Sequence, residues 1–467
     1  MKRSAFVLGA TLVSAFSIVG VEMVGERDAA ACGGCFTPQP PPTQVASDVT
    51  DERMLLAVST TQSTLYDQLE YTGNPASFAW VLPIRGTVDV GLSADVLFDS
   101  FDAVTATQIV PPPQNCAPAP SCGSFGGGAF AAESANGGSE TPPVTVTKQE
   151  NVGPYDTVQL HSTDSSALEN WLAQNSFVIP AAEQSVIAAY VAEGFDFLAM
   201  KLLPNEGVQA MRPVRVTTPG ASLSLPLRMA SIGTGATVGI TIWVVSDGRY
   251  EPQNFPFFHI EDTDLLWDWS TSSSNYAALR TTNETRLGGK GWEIESSITL
   301  NQQLITSVIL SGGQYSSSGG IPTANPSLAA PSDPTQDYLP AGDPDAGADA
   351  GSYQSAEDVR AADIATLFVG LQGPNVRVTR IRSDIAHAAM TQDFLLQASA
   401  DQSELSNVRT VTKSANLNCP TYQPCSVVGC TASAPSPPRG GWVAGFGALA
   451  GMVGLIAARV HRARKRS

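Results

Sequence analysis

The sequence predicts an α+β fold: a sheet-rich ectodomain with a few packed helices, followed by one C-terminal transmembrane helix. Three observations predict it. Runs rich in Val, Ile, Phe, Trp and Thr, bounded by Gly and Pro, make up most of the ordered sequence and read as strands. Four segments carry a helical apolar period instead, so helices pack on the sheets. Both ends of the chain read as addresses rather than as parts of the fold.

At 467 residues the chain exceeds the roughly 250–300 at which a single core stops growing, so one large or two modest domains are expected. Residues 1–31 read as a signal peptide. Lys2 and Arg3 precede the apolar run Ala5–Val24, and Ala29-Ala30-Ala31 places small residues before a cleavage point at Cys32. Glu26, Arg27 and Asp28 separate Cys32 from that run, which favours ordinary export over lipid attachment. At the other end, Trp442 to Ala458 is apolar and uncharged, and Arg459, Arg462, Arg464, Lys465 and Arg466 follow. The span 442–458 reads as a transmembrane helix and 459–467 as a basic cytoplasmic tail, which puts the body on the periplasmic or extracellular side.

Residues 32–110 read as a β-rich part with one helix. The proline run after Cys-Gly-Gly-Cys disfavours regular structure. RMLLAVS and STLYDQLEYTG are strand-like, and Leu65 to Gly86 reads as two apolar strands joined by a Gly-Asn-Pro turn. Phe78, Trp80 and Leu82 alternate with Ala79 and Val81, as in a strand buried on both faces. TVDVGLS suits a further strand. ADVLFDSFDAVTATQ gathers Val96, Leu97, Phe101 and Val104 on one helical face, with Ser93 as its N-cap. Residues 111–143, mostly turn formers and small residues, form a loop.

Residues 144–310 read as a central α+β part. VTVTKQENVG and YDTVQLHS are strands around Gly153-Pro154. SSALENWLAQN is a helix capped by Ser165 or Asp164 that buries Leu168, Trp171 and Leu172. AEQSVIAAYVAEG is a second helix, with Val186, Ile187, Tyr190 and Val191 together and its end at Gly194. FDFLAMKLLP, PVRVTT, SLSLPLRMASIG, ATVGITIWVVSDGRYEP, WEIESSITL and LITSVIL read as strands. Residues 311–355 are acidic and poor in apolar side chains, as a disordered loop is. Residues 356–400 close the body with a helix that turns Val359, Ile364 and Leu367 inward, and with the strand NVRVTRIRSDI. Residues 401–441, rich in Pro and Ser, form a stalk to the membrane.

Three ordered stretches carry a resemblance. EYTGNPASFAWVLPIRG, ENWLAQNSFVIPAAEQSVIAAYVAEGFDFLAMKLLP and RPVRVTTPGASLSLPLRMASIGTGATVGITIWVVSDGRYEP, after an exported ACGG motif, resemble the bacterial family called domain of unknown function 2330, from about Cys32 to Gln397. The insertions from Pro111 and Ser311 are long for that family. The resemblance implies an exported bacterial protein and supplies no activity, so no catalytic residue is carried over.

Seven cysteines, Cys32, Cys35, Cys116, Cys122, Cys419, Cys425 and Cys430, fall in three local groups and read as disulfide cysteines of an oxidising compartment. The Cys32/Cys35 pair reads as a staple: no thioredoxin-like unit follows it, and no second C-x-x-C or nearby His completes a zinc site. Between Cys32 and Pro438 there are 17 Lys+Arg against 40 Asp+Glu, a net charge of −23, which disfavours nucleic acid as a partner.

Catalytic signatures are sparse. His161, His259 and His387 lie in the exported body, and no G-x-S-x-G elbow, H-E-x-x-H helix or P-loop occurs. Gly233, Gly235 and Gly239 miss the dinucleotide spacing and precede a strand, so they read as turn glycines. His259 to Asp264, HIEDTD, is the densest potential ligand cluster, but a strand would split its acids between two faces. Asp343, Asp345 and Asp349 lack the closing acid of a calcium loop, and Pro344 interrupts them. Trp267, Trp269 and Tyr276 suit either a core face or a sugar- or peptide-binding patch. No cofactor or metal is expected. The expected role is a non-enzymatic binding or structural module of the envelope, contacting a protein or glycan. The second reading is an exported hydrolase whose dispersed site uses His161 or His259.

Overall fold

The computed structural model describes residues 35–36, 48–72, 79–114, 148–174, 184–203, 206, 210–232, 234–312, 316–318, 321–323, 354–417 and 419. In chain order its first half runs β1 (Cys35–Phe36), β2 (Asp48–Val58), β3 (Gln62–Thr72), β4 (Ala79–Ile84), β5 (Asp89–Leu92), α1 (Asp95–Thr105), β6 (Gln108–Val110), β7 (Lys148–Val152), β8 (Tyr155–Leu160), α2 (Ser165–Gln174), α3 (Gln184–Ala192), β9 (Asp196–Leu202), β10 (Val214–Pro219), β11 (Ser224–Leu225) and α4 (Leu227–Ala230). The second half runs β12 (Thr234–Ser246), β13 (Tyr250–Pro252), β14 (Phe257–Phe258), β15 (Leu266–Asp268), β16 (Ser273–Ser274), α5 (Tyr276–Arg286), β17 (Trp292–Asn301), α6 (Gln302–Leu310), β18 (Ser316–Ser318), β19 (Ile321–Thr323), α7 (Ala356–Leu367), β20 (Asn375–Ala386), β21 (Phe394–Ala398), β22 (Val408–Thr410) and β23 (Lys413–Ala415).

Two sheets organise the body. An eight-stranded sheet has the order β14-β17-β20-β12-β2-β3-β10-β5, and a five-stranded sheet the order β1-β4-β9-β8-β7. Strands β2 and β3 are antiparallel neighbours, with Met54 opposite Asp67 and Leu55 opposite Tyr66. Because side chains alternate, Glu52, Met54 and Leu56 share one face with Leu65, Asp67 and Leu69. That face meets Trp80, Leu82, Leu198 and Met200 of the smaller sheet in one apolar core. The other face is covered by α1, α6 and α7: Trp243 Nε1 donates to Thr105 Oγ1 (2.8 Å), and Tyr66 Oη meets Thr366 Oγ1 (2.8 Å). On the far side of the smaller sheet, Val81, Phe197 and Ala199 pack against Leu168 and Leu172 of α2 and against Ile187 and Tyr190 of α3. The architecture is therefore four layers, helices on sheet on sheet on helices, mixed α+β and rich in sheet. Among the described residues no helix is long and apolar enough to cross a membrane. The expected signal peptide at 1–31 and anchor at 442–458 lie outside them.

Several expectations need correction. The two strands read within Leu65–Gly86 are present as β3 and β4 but belong to different sheets, and the Gly-Asn-Pro turn between them lies outside the described residues. Ser93 does not cap α1; the N-cap is Ala94, with no side-chain cap of its own, and Ser93 Oγ donates instead to Asp363 Oδ2 (2.9 Å). That carboxylate also accepts from Ala94 N (2.8 Å), so α1 is held at its N-terminus from another helix. SLSLPLRMASIG is not one strand: Pro226 ends β11 after two residues and α4 follows. LITSVIL is helical, because Asn301 accepts from Gln303 N (2.9 Å) as an N-cap, and Ile305, Val308 and Ile309 carry a helical period into the core.

Cys35–Phe36, just before the proline run, pairs with Trp80 and Ala79 at the edge of the smaller sheet. Gly235 and Gly239 are strand glycines of β12 rather than turn glycines, beside an irregular register between Thr234 and Gly239. In α7 the fully buried polar position is Asp363, next to the half-buried Ile364. The segment 311–355 contains the small antiparallel pair β18/β19. The expected stalk begins too early: β22 pairs with β6, and β23 with β15. Residues up to at least 415 belong to the folded body, where Val411 packs with Phe258, Ile260 and Leu265.

Candidate functional site

The β2/β3 pairing puts acidic residues where an apolar pattern is due. Along β3, Leu65, Asp67 and Leu69 point at the smaller sheet, and Glu52 and Met54 do so along β2. Glu52 and Asp67 are 3% and 4% exposed, and both line a crevice with Met54, Trp80 and Leu82. Asp67 also lines a cavity of about 130 Å³, where Leu69, Trp80, Tyr155, Met200 and Met211 supply apolar wall and Asp95 and Arg212 supply charge. Asp67 Oδ1 has no hydrogen-bond partner among the described residues. Burial pushes its carboxyl up to about 7.

Hydrogen bonds fix several other polar groups at this cavity. Gln68 Nε2 donates to Asp95 Oδ1 (2.6 Å), while Gln68 Oε1 accepts from Arg53 Nε (2.6 Å). Burial raises the Asp95 carboxyl, and Gln68 and the nearby Arg212 guanidinium oppose that rise. Tyr155 Oη donates to the Arg212 carbonyl (2.7 Å) and accepts from Arg212 N (2.9 Å), which fixes the 211–213 segment in the cavity wall. The cavity therefore offers aromatic and thioether surface with one carboxyl whose charge no cation compensates among the described residues. Such a group is costly to keep ionised and is what a ligand could satisfy.

A larger groove of about 370 Å³ lies between the sheets near β11, lined by Leu82, Pro83, Val216, Pro219 and Leu223. Its charged groups are already committed. Asp393 accepts from Arg228 Nη2 (2.7 Å) and from Tyr190 Oη, and the Arg85 guanidinium lies 3.8 Å from the centroid of the Phe195 ring. Despite its size, it presents less unsatisfied chemistry than the Asp67 cavity.

The remaining candidates disperse. His161 Nδ1 pairs with Asp196 Oδ1 where β8 ends and β9 begins, away from the cavity. His259 Nε2 pairs with Glu261 Oε1 (2.6 Å), and no hydroxyl or thiol nucleophile is recorded on either ring among the described residues. The HIEDTD stretch is not a strand, because Asp262–Asp264 form a 3-10 turn; Asp262 Oδ2 accepts from Thr410 N (3.1 Å). No group of three or more metal-ligating side chains occurs among the described residues.

Trp267 and Trp269 are half-buried and meet edge to face at 5.9 Å. Tyr276 packs with Trp267 against the Phe258, Ile260, Leu265 and Val411 cluster, and its hydroxyl donates to Glu293 Oε1 (2.8 Å) in a buried ionic cluster. Burial and the neighbouring Glu295 push the Glu293 carboxyl up to about 7; Arg380 binds Glu295 and Asp102, tying β20 and β17 to α1. This cluster fastens layers together. Of the seven cysteines, Cys419 is disulfide-bonded and Cys35 sits in β1. Cys32, Cys116, Cys122, Cys425 and Cys430 lie outside the described residues, as do Asp343, Asp345 and Asp349.

Asp67 was not singled out by sequence. The signal for it was present: an acid at an inward position of L-x-D-x-L, facing E-x-M-x-L on the neighbouring strand.

Neither curated proteins nor solved structures give a match to this chain. A family profile, described as an uncharacterized protein conserved in bacteria (DUF2330), matches residues 27–397, a span that includes both sheets and every wall of the Asp67 cavity. The chain belongs to that bacterial family.

Proposed function

We propose that this protein is an exported, membrane-anchored envelope protein that acts as a non-enzymatic binding module, and that its ligand occupies the inter-sheet cavity at Asp67. The observation that carries the binding role is the interior carboxyl, 4% exposed, with an oxygen that no described donor reaches. An interior acid of this kind costs stability, and a ligand that compensates it is the physical reason to keep it. The cavity suits a small molecule; an envelope protein or glycan would meet the outer surface. Export and anchoring rest on the two apolar ends and the terminal arginine cluster.

Two experiments test this reading. A periplasm-active reporter fused at Ser433 is expected to be active, and the same reporter fused after Ser467 inactive; the reverse pattern removes the proposed orientation. For binding, thermal midpoints of the purified full chain are followed against a panel of small amines, carboxylates, alcohols and sugars. At least one class is expected to raise the midpoint of the parent protein and leave Asp67→Asn unmoved. If no compound distinguishes the two proteins, the cavity is not the binding site.

A further inference from the structure

We infer that the ligand of the Asp67 cavity is a small organic ammonium ion, held by the Asp67 carboxylate against the rings of Trp80 and Tyr155. This deepens the binding-module reading and rests on it. The argument begins with charge. Four titratable or charged groups other than Asp67 face this region: Glu52 from β2, Asp95 from α1, Tyr155 from β8 and Arg212 from the segment before β10. The Arg212 guanidinium acts on Asp95, and among the described residues no cation is found to act on the Asp67 carboxyl. Any ligand anion would meet two or three carboxyl groups across one guanidinium. A ligand cation completes an ion pair that the protein leaves open.

The walls narrow the choice. Trp80 and Tyr155 are 3% and 2% exposed, and Met200 and Met211 border the same space. Aromatic faces attract cations, and the rest of the lining is apolar, so an alkylammonium has a partner for each of its halves. A sugar would bring more hydroxyls than this lining can satisfy. A volume of about 130 Å³ is close to that of a cavity that accepts benzene, which limits the ligand to roughly six heavy atoms.

Protonation follows from the same geometry. The Asp67 carboxyl is largely neutral in the empty cavity below neutral pH and must lose its proton to pair with an ammonium ion. Binding therefore releases a proton to solvent, and affinity rises with pH until the amine itself deprotonates.

The test uses the full chain in detergent, with n-butylammonium as probe and n-butanol and butyrate as size-matched controls, titrated calorimetrically at about pH 5 and about pH 8. n-Butylammonium is expected to bind at least roughly tenfold more tightly at the higher pH, and at the lower pH its heat is expected to vary with buffer ionisation enthalpy. Asp67→Asn is expected to abolish binding while remaining folded, and the controls are expected not to bind. Equal affinity at both pH values, binding retained in Asp67→Asn, or no n-butylammonium binding up to about 50 mM overturns the inference, since such a ligand tops out near mM affinity or somewhat tighter. If butanol or butyrate binds in an Asp67-dependent way and n-butylammonium does not, the cavity remains a binding site and the cation assignment is wrong.

Discussion

Replacing Asp363 by alanine is expected to destabilise the protein by about 3–5 kcal/mol, a large part of the stability of an ordinary domain. The side chain is fully buried in α7 and joins two other parts of the fold. Its Oδ1 accepts from Arg215 Nη1 on β10 (2.6 Å), and its Oδ2 accepts from Ser93 Oγ and Ala94 N at the start of α1. Removing it leaves a mostly buried guanidinium, a hydroxyl and a helix N–H without their acceptor in a space that water enters poorly. Asn offers no relief, since one of its two terminal groups donates where the native oxygen accepts. Urea denaturation at neutral pH decides the matter. A loss under about 1 kcal/mol would mean that α7 is held by its apolar contacts and that the ionic junction contributes little.

Local rules read most of this fold correctly where a segment's own pattern decides its structure. Strands β2, β8, β9, β12, β17 and β20 and helices α1, α2, α3 and α7 follow from apolar period and turn residues alone. Misreadings cluster where a distant partner decides. Ser93 looks like an N-cap, yet its hydroxyl turns to Asp363, 270 positions away, which no local rule can anticipate. LITSVIL is β-branched enough to suggest a strand, but the Asn301 cap and the surface that α1 and α7 offer to Ile305 and Val308 make it a helix. Helix α5 is hard to read in the sequence because it is mostly exposed and carries little apolar period; Arg280 ties it to Asp384 and Glu295, and Tyr276 and Leu279 pack on the small cluster around Phe258. The cavity was hidden for a related reason. Asp67 alternates correctly with Leu65 and Leu69, but that it faces a second sheet rather than water depends on where β4 and β8 lie.

That hidden carboxyl leads to the second large effect: Asp67→Asn is expected to stabilise the protein at alkaline pH and not at acidic pH. In the unfolded chain the group titrates near 3.8, and burial in the native state pushes it to about 7. Below about pH 4 both states hold the proton and Asp67 costs nothing through ionisation. Between about pH 4 and pH 7 the unfolded chain ionises first, so native stability falls by roughly 1.4 kcal/mol per pH unit, and above that window the full penalty of about 4 kcal/mol stands. Asparagine removes the charge at nearly the same volume but brings an amide that also lacks a partner, at a cost of about 1–3 kcal/mol. The net expectation is therefore a gain of about 1–3 kcal/mol for the variant near pH 8, turning into a small loss near pH 4. Denaturation midpoints at the two pH values measure this directly, and a loss of equal size at both would show that a cation or donor already compensates the native carboxylate. An ammonium ligand adds a further constraint, because saturating n-butylammonium should narrow the gap near pH 8 by stabilising only the parent protein. The penalty for the empty site and the affinity of the filled one are thus two measurements of the same uncompensated charge, and they must agree in sign and in pH window.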